Sequence, residues 1–426
     1  MSAQISYELL ASATKKLIQD ELSEIRSNAL SNLKNSEMPS TKNEEWQYTD
    51  ISSVFALCEK SLHEPKNTSS NKENIAVKRK YSITEEIDAH WIIINNGAID
   101  TGEANKLKAI GIDVSLLSKN IDNTEVIIDD SLSSLNALLM SDAIKITISS
   151  DAENKKPIGI LFDNDESASN HVSNYRCILE VKDNAAISII HAHTTKIHTP
   201  HFTNSVVQIN LGKDSQVEYL KLQNYSSTQT LIEKSVINLE LNAKLNYTSV
   251  DIGGQLVRAD IIINFNDKHA NATINGVYIA GKNQHIDNHI SANHFIGSTQ
   301  SSQNFYGVIG GNGHCVFNGK ALVCEGAIDT NANQYNHNLL ISENAEINTK
   351  PELEIYTDDV KCSHGTTVGQ LDEDALFYMR ARGIDEDIAR QLLTKTFITR
   401  ILNDIKIPCT RDSLEHLITN KLRKLS

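Results

Sequence analysis

Asn184-Ala185-Ala186-Ile187, Asp214-Ser215-Gln216-Val217, Asn242-Ala243-Lys244-Leu245, Asn271-Ala272-Thr273-Ile274, Asn312-Gly313-His314-Cys315 and Asn344-Ala345-Glu346-Ile347 share one pattern. Each has Asn or Asp, a small residue, any residue, and an apolar one. The starts lie 30, 28, 29, 41 and 32 residues apart. Asn and Asp tolerate left-handed backbone and make Asx turns, and the small residue lets the chain bend tightly. The apolar residue then opens a strand-like run, as in Ile187-Ser188-Ile189 and Leu245-Asn246-Tyr247. A turn and a strand repeated at a near-constant interval predict a β-solenoid, whose stacked coils bury one continuous aliphatic interior. A β-sandwich with frequent turns is the alternative.

Outward from this pattern, residues from about 86 to 350 lack helical periodicity, and short β-branched runs alternate with Asn, Asp and Gly. Residues 1–35 carry Leu10, Leu17, Leu22, Ile25, Leu30 and Leu33 at roughly one turn or its multiples, which predicts helix. Residues 60–79 are polar, contain Pro65 and read as a linker. After Gly369 the 3.6-residue period returns. Asp372, Glu373 and Asp374 open a helix that Gly383 stops. A second begins at Asp385 and runs through Ile388, Leu392, Phe397 and Ile401 to Pro408, and DSLEHLITNKLRKL is a third. The organisation is thus mainly β: a helical region with linker (1–85), a solenoid core (86–370) and a small helical domain (371–426).

The chain has 426 residues, with 40 Lys plus Arg against 54 Asp plus Glu, a net charge of −14. An acidic surface supplies no cationic footprint for phosphates, which argues against nucleic acid and against anionic membrane surfaces. No apolar run reaches the ~18 residues a spanning helix needs. The first residues lack the apolar stretch of a signal peptide, and six cysteines spread over this length are no disulfide framework. A reduced, cytoplasmic setting is the expectation.

No nucleotide motif is complete. Gly310-Gly311-Asn312-Gly313 fails the P-loop pattern, and Gly319-Lys320 is followed by Ala321. There is no G-x-S-x-G, H-E-x-x-H or C-x-x-C. His191 and His193 fall at i and i+2, one face of a strand, with His198 and His201 following. Such a pair can hold iron or zinc, but with no neighbouring carboxylate or thiol it reads as a polar outer face or a turn. His285, His289 and His294 read the same way. Cys362-Ser363-His364 is the stronger candidate, because in an extended chain thiol and imidazole share a side and both are iron ligands. Cys315 and Cys324 read as core thiols, while Cys58 and Cys409 have no evident partners.

The run KPELEIYTDDVKCSHGTTVGQLDEDALFYMRARGI (350–384) resembles the SufD branch of the SufB/SufD family, which belongs to the SUF iron–sulfur cluster assembly system. GHCVFNGKALVCEGAIDTNANQYNHNLLIS (313–342) and NEEWQYTDI (43–51) fit the same family. The resemblance implies a right-handed parallel β-helix between helical ends. It implies a non-catalytic scaffold that pairs with SufB through the β-helix and with the ATPase SufC through the C-terminal helices. The family's interface histidine falls on His364 and its preceding cysteine on Cys362, as candidate ligands for metal or for a nascent cluster. The SufB cluster cysteine corresponds to Ala345, and SufB carries glutamate at the position of His364. Both departures favour the SufD branch. They imply no stably bound cofactor, with iron or a nascent iron–sulfur cluster gathered at the SufB interface. The resemblance leaves open whether iron, sulfur or flavin passes through the subunit, and whether the chain forms a homodimer when SufB is absent.

Two other classes compete. A secreted β-helix enzyme acting on acidic polysaccharide would use paired carboxylates, but a net negative surface repels a polyanion. A purely structural solenoid would bind neither metal nor partner.

Overall fold

Asn184, Asp214 and Asn242 adopt left-handed backbone, with φ of 62°, 56° and 57°. At each, the backbone N–H donates to a carbonyl one coil further on: Lys213, Leu241 and Lys268. The same corner recurs at His269, Ser298, Asp329 and Asp359, all with positive φ. The sequence pattern drifts after the third coil. Asn271 is the first residue of a strand, two positions past its corner at His269, while Asn312 and Asn344 lie at the opposite corner of the coil. That change of corner produces the 41-residue gap.

The computed structural model describes residues 5–15, 17–63, 82–95, 98–99, 104–121, 125–152, 156–164, 172–195, 198–407 and 410–425. Residues 60–63 of the expected linker continue the helix Ser52–His63, because Leu62 extends its apolar face; the rest of the linker, Pro408 and Cys409 lie outside the described residues. From Val172–Val181 to Lys361–Gly369, successive strands alternate between a ten-stranded and a nine-stranded sheet, making seven coils of a parallel β-solenoid. Register is maintained through the stack: Gln216 pairs with Lys244, Lys244 with Asn271, Asn271 with Gln300, Gln300 with Asn331 and Asn331 with Lys361. Inward positions are mostly aliphatic, as in Val257, Ala259, Ile261 and Ile263. Outward positions stack like on like. Asn293 donates to Asn264, Asn264 to Asn238 and Asn238 to Asn210, at 2.8–2.9 Å.

Both outer faces are covered. Helices Glu386–Asp404 and Arg411–Arg423 lay Ile398, Ile401, Leu414 and Ile418 over Leu220, Leu222, Val277 and Val308 of the ten-stranded sheet. Asp372 and Asp385 cap the helices that follow them, and Gly383 has φ of 85°. The N-terminal helices Tyr7–Thr14, Ser23–Asn35 and Ser52–His63 cover Phe202 and Ile232 of the other sheet. With them packs Ser131–Leu139, a helix within the stretch read as purely β. It is short and serine-rich, so its propensity is weak. Its Asp130–Ser133 capping box and the Arg26 guanidinium on the Leu138 and Met140 carbonyls hold its two ends. No helix among the described residues is long and apolar enough to cross a membrane.

The two ends of the stack differ. At the N-terminal end Ile94 pairs antiparallel with Ile99 and Ile112 with Ile148, which stops parallel propagation. At the other end, Glu346–Ile355 and Lys361–Gly369 are the terminal strands of their sheets and pair on one side only among the described residues.

The segment NEEWQYT is a clasp onto the outer face of the nine-stranded sheet. Trp46 lies 3.8 Å from the Arg258 guanidinium, and Arg258 donates to the Glu45 carbonyl and to Asp287. Thr49 donates to Asp287, Glu45 meets His289 at 3.2 Å, and Glu44 meets Lys350 at 2.6 Å. Burial disfavours the charged form of His289, but Asp287 at 3.0 Å and Glu45 outweigh it and raise the imidazole to about 9. Burial pushes the Asp287 carboxyl up, yet Arg258 and His289 hold it well below the carboxylate range. The His289 hydrogen bond lowers Glu45.

The pH dependence follows from these directions. His289, raised above its unfolded ~6.5, contributes stability that is complete below ~6.5 and is lost as pH rises through about 9, on the order of 3 kcal/mol. The lowered carboxyls contribute above ~4 and lose that contribution in acid. The thermal midpoint is expected to be highest between these limits, and His289→Ala to flatten the alkaline limb. A wild-type midpoint unchanged from pH 7 to 10 would refute the clasp.

Candidate functional site

Cys362 and His364 sit on the last strand of the ten-stranded sheet, Lys361–Gly369. Register places Cys362 beside Ala332 and His364 beside Gln334. Ala332 and Gln334 belong to the inward row of their coil, so thiol and imidazole continue that row at the open mouth of the solenoid. The expected shared side is observed. Because no further coil covers this end among the described residues, His364 is exposed and Cys362 half-buried. Burial raises the Cys362 thiol, against a lowering contact from the Ala332 backbone. A thiolate here therefore needs a metal or a base to take its proton.

The last coils around this mouth are polar inside. Tyr278 donates to Asn338, and Asn336 donates to the Tyr278 hydroxyl. Gln334 donates to the Glu352 carbonyl. The hydroxyls of Thr349 and Thr366 are buried without a hydrogen-bond partner among the described residues. Apolar side chains flank the free edge, with Tyr356 63% and Val368 50% exposed. Strand edges paired on one side and exposed apolar side chains are both features that favour contact with another chain. A free edge also invites aggregation unless a partner occupies it.

The other cysteines are placed differently. Cys58, Cys177 and Cys315 are buried, and burial raises all three thiols. Cys315 faces the solenoid interior as expected. Cys324 is half-buried just beyond its strand rather than in the core.

The histidines depart furthest from expectation. His191 and His193 share a face, but it faces the interior, and both are buried. Glu233, 40 residues away in sequence, places Oε2 2.6 Å from His193 Nε2 and 3.5 Å from His191 Nε2. The carboxylate missing from the local sequence comes from a neighbouring coil. Burial lowers His191 to about 3 and pushes Glu233 up, but the two imidazoles and Lys221 hold that carboxyl well below its usual range. His198 is exposed, and His201 lies beside Ser173 at 3.0 Å. His285 and His289 belong to the clasp, while His294 bonds Thr299 and Ser301.

Residues 163–397 match the family model described as SUF system FeS cluster assembly, SufBD core domain, and residues 1–160 match that of the SufBD protein N-terminal region. An iron–sulfur cluster assembly SufBD family protein of Synechocystis is 28% identical over 402 residues, 88% of this chain and 86% of that one. The iron–sulfur cluster assembly protein SufD of Escherichia coli is 30% identical over 236 residues, 55% of this chain and 56% of that one. A SufBD family protein of Mycobacterium leprae is 30% identical over 189 residues, 42% and 48% of the two chains.

Thiol accessibility tests the site geometry. Iodoacetamide is expected to modify Cys324 and Cys362 in the native isolated chain and to spare Cys58, Cys177 and Cys315 until denaturant is added. The Cys362 rate should rise about tenfold per pH unit below its thiol pKa. Peptide mass mapping reads the result, and native modification of Cys315 would contradict a closed interior.

Proposed function

The chain belongs to the SufBD family of the SUF iron–sulfur cluster assembly system, and from that premise we propose that it is the SufD-type scaffold subunit of a SufB–SufC–SufD complex. The observation that carries the reading is the free edge strand Lys361–Gly369, with the exposed His364 two residues beyond Cys362. A sister solenoid pairing at this edge satisfies the unpaired backbone groups and brings its own thiolate and carboxylate to the same mouth. The imidazole supplies a nitrogen ligand, and Cys362 becomes a thiolate ligand when a metal displaces its proton. Ala345 explains why this chain alone is an incomplete ligand set. Iron and the growing cluster are cargo held at the seam. The subunit supplies position rather than catalysis, and its five described cysteines, all free, suit a reducing cytoplasm.

The C-terminal helices supply a second contact. Phe377 is 72% exposed, and Tyr378, Ile388 and Leu392 are exposed on the same two helices. This apolar patch is the proposed seat of SufC. Helix Glu386–Asp404 also lies across Gln300–Ile309, where Phe397 meets Tyr306 at 5.2 Å. That strand is two positions from the edge strand, or about 10 Å at a strand spacing of ~4.8 Å. ATP-driven movement of the helix therefore has a short packed route to the ligands.

Two outcomes test this. In cells expressing SufB and SufC, His364→Ala is expected to leave the melting temperature and complex recovery unchanged and to abolish cluster assembly, read by anaerobic iron and sulfide analysis of the purified complex. Normal cluster content in that variant would remove His364 from the mechanism. Phe377→Glu with Leu392→Glu should weaken SufC recovery at least tenfold, about 1.4 kcal/mol or more, with SufB recovery retained. Undiminished SufC binding would displace the proposed seat.

A further inference from the structure

We propose that His191, His193 and Glu233 form a buried site for a divalent first-row transition-metal ion, with the two Nε2 atoms and a carboxylate oxygen as ligands. The three atoms form a triangle with edges of 2.9, 2.6 and 3.5 Å. On a tetrahedral ion with bonds of about 2.0–2.1 Å, ligand atoms stand ~3.3 Å apart, so closing on an ion requires only sub-ångström adjustment.

Proton bookkeeping favours an ion over a bare hydrogen-bond cluster. Each inward atom carries a lone pair, and a single proton bridges one edge of the triangle, not three. The outer nitrogens are already engaged: His191 Nδ1 lies 2.7 Å from the Tyr219 hydroxyl, and His193 Nδ1 lies 3.2 Å from that of Tyr225. Tyr225 donates onward to Thr203, leaving its oxygen to accept Nδ1–H from His193. That tautomer turns the Nε2 lone pair toward Glu233. Outer hydrogen bonds of this kind orient histidines that ligate metal.

The carboxylate is also under-used. Glu233 Oε2 accepts from Ser205, but Oε1 accepts no hydrogen bond among the described residues. Lys221 Nζ lies 3.9 Å from Oε1 and is bonded to Asp251 at 3.0 Å. Phe162 covers both imidazoles, with ring centroids at 4.8 and 4.9 Å. Two imidazoles and one carboxylate, with positions left open, suit Fe²⁺, Co²⁺ or Zn²⁺ and not Mg²⁺ or Ca²⁺. The site is independent of the open edge: six strand positions separate the two, about 29 Å at ~4.8 Å each. All three side chains are at most 1% exposed, so the ion enters while the coils are closing and exchanges slowly afterwards.

The full chain, expressed in minimal medium with added Co²⁺ or Zn²⁺ and washed with EDTA, tests the site. About one equivalent of metal per chain is expected to survive the wash, falling below about 0.1 in Glu233→Gln and His193→Gln and unchanged in His198→Ala. Circular dichroism and gel filtration establish that each variant is folded. X-ray absorption of the wild-type metal form is expected to show nitrogen and oxygen neighbours with histidine scattering. Should both site variants fail to fold, this spectrum decides alone. Wild-type protein that keeps no metal, folded site variants that keep it in full, or sulfur in the first shell would each overturn the proposal.

Discussion

A parallel ladder satisfies every backbone group except those at its two ends, and that constraint organises this molecule. Within the seven coils each strand finds its donors and acceptors in the coils before and after it. The ends are the remaining problem, and the chain treats them oppositely. Antiparallel pairing closes the first coils, whereas the last two strands keep a free edge carrying Cys362 and His364. A rigid stack is a good place for ligands, because side chains on regular strands are positioned more accurately than side chains on loops. The proposed ligands stand where the ladder ends.

The interior is not uniformly apolar. Most inward positions carry aliphatic residues, but one section holds His191, His193, Lys221, Glu233 and Asp251, all buried. Charged groups are tolerated in a core only when paired or coordinated. Here Lys221 bridges toward both carboxylates, and tyrosines hold the imidazoles. A fold whose stability came from burial alone would have no use for this section.

How much was legible from sequence depended on the range of the signal. The left-handed corners at Asn184, Asp214 and Asn242 are local, and the Asx chemistry marks them. The later corners at His269 and Ser298 are not Asx, and Asp329 and Asp359 are followed by Thr330 and Val360 rather than by Ala, Ser or Gly, so the pattern slipped to strand starts and to the opposite corner. The C-terminal helices were legible through Asp372, Asp385 and Gly383, because caps and stops are local too. Helix Ser131–Leu139 was hidden by three serines in nine residues. The mouth pair Cys362 and His364 stood out as i and i+2 on one strand, and the structure keeps them together. Glu233 could not be found beside His191 and His193, because it stands on the opposite sheet and meets them across the interior. One coil period from His191 and His193 leads to Lys221 and Gln223 instead, so the repeat alone does not lead to the carboxylate.

The clasp of residues 43–49 has a consequence for synthesis. Its anchors, Arg258, Asp287, His289 and Lys350, leave the ribosome some 200 to 300 residues after Trp46 does. The N-terminal helices can therefore emerge and fold, yet their final seating must await most of the translated chain. Contacts of such long sequence separation form late and slowly. Each nascent molecule thus carries an undocked front end through most of its elongation, and the fourth and fifth coils, then Lys350 on the seventh, must be in place before the beginning of the chain locks down.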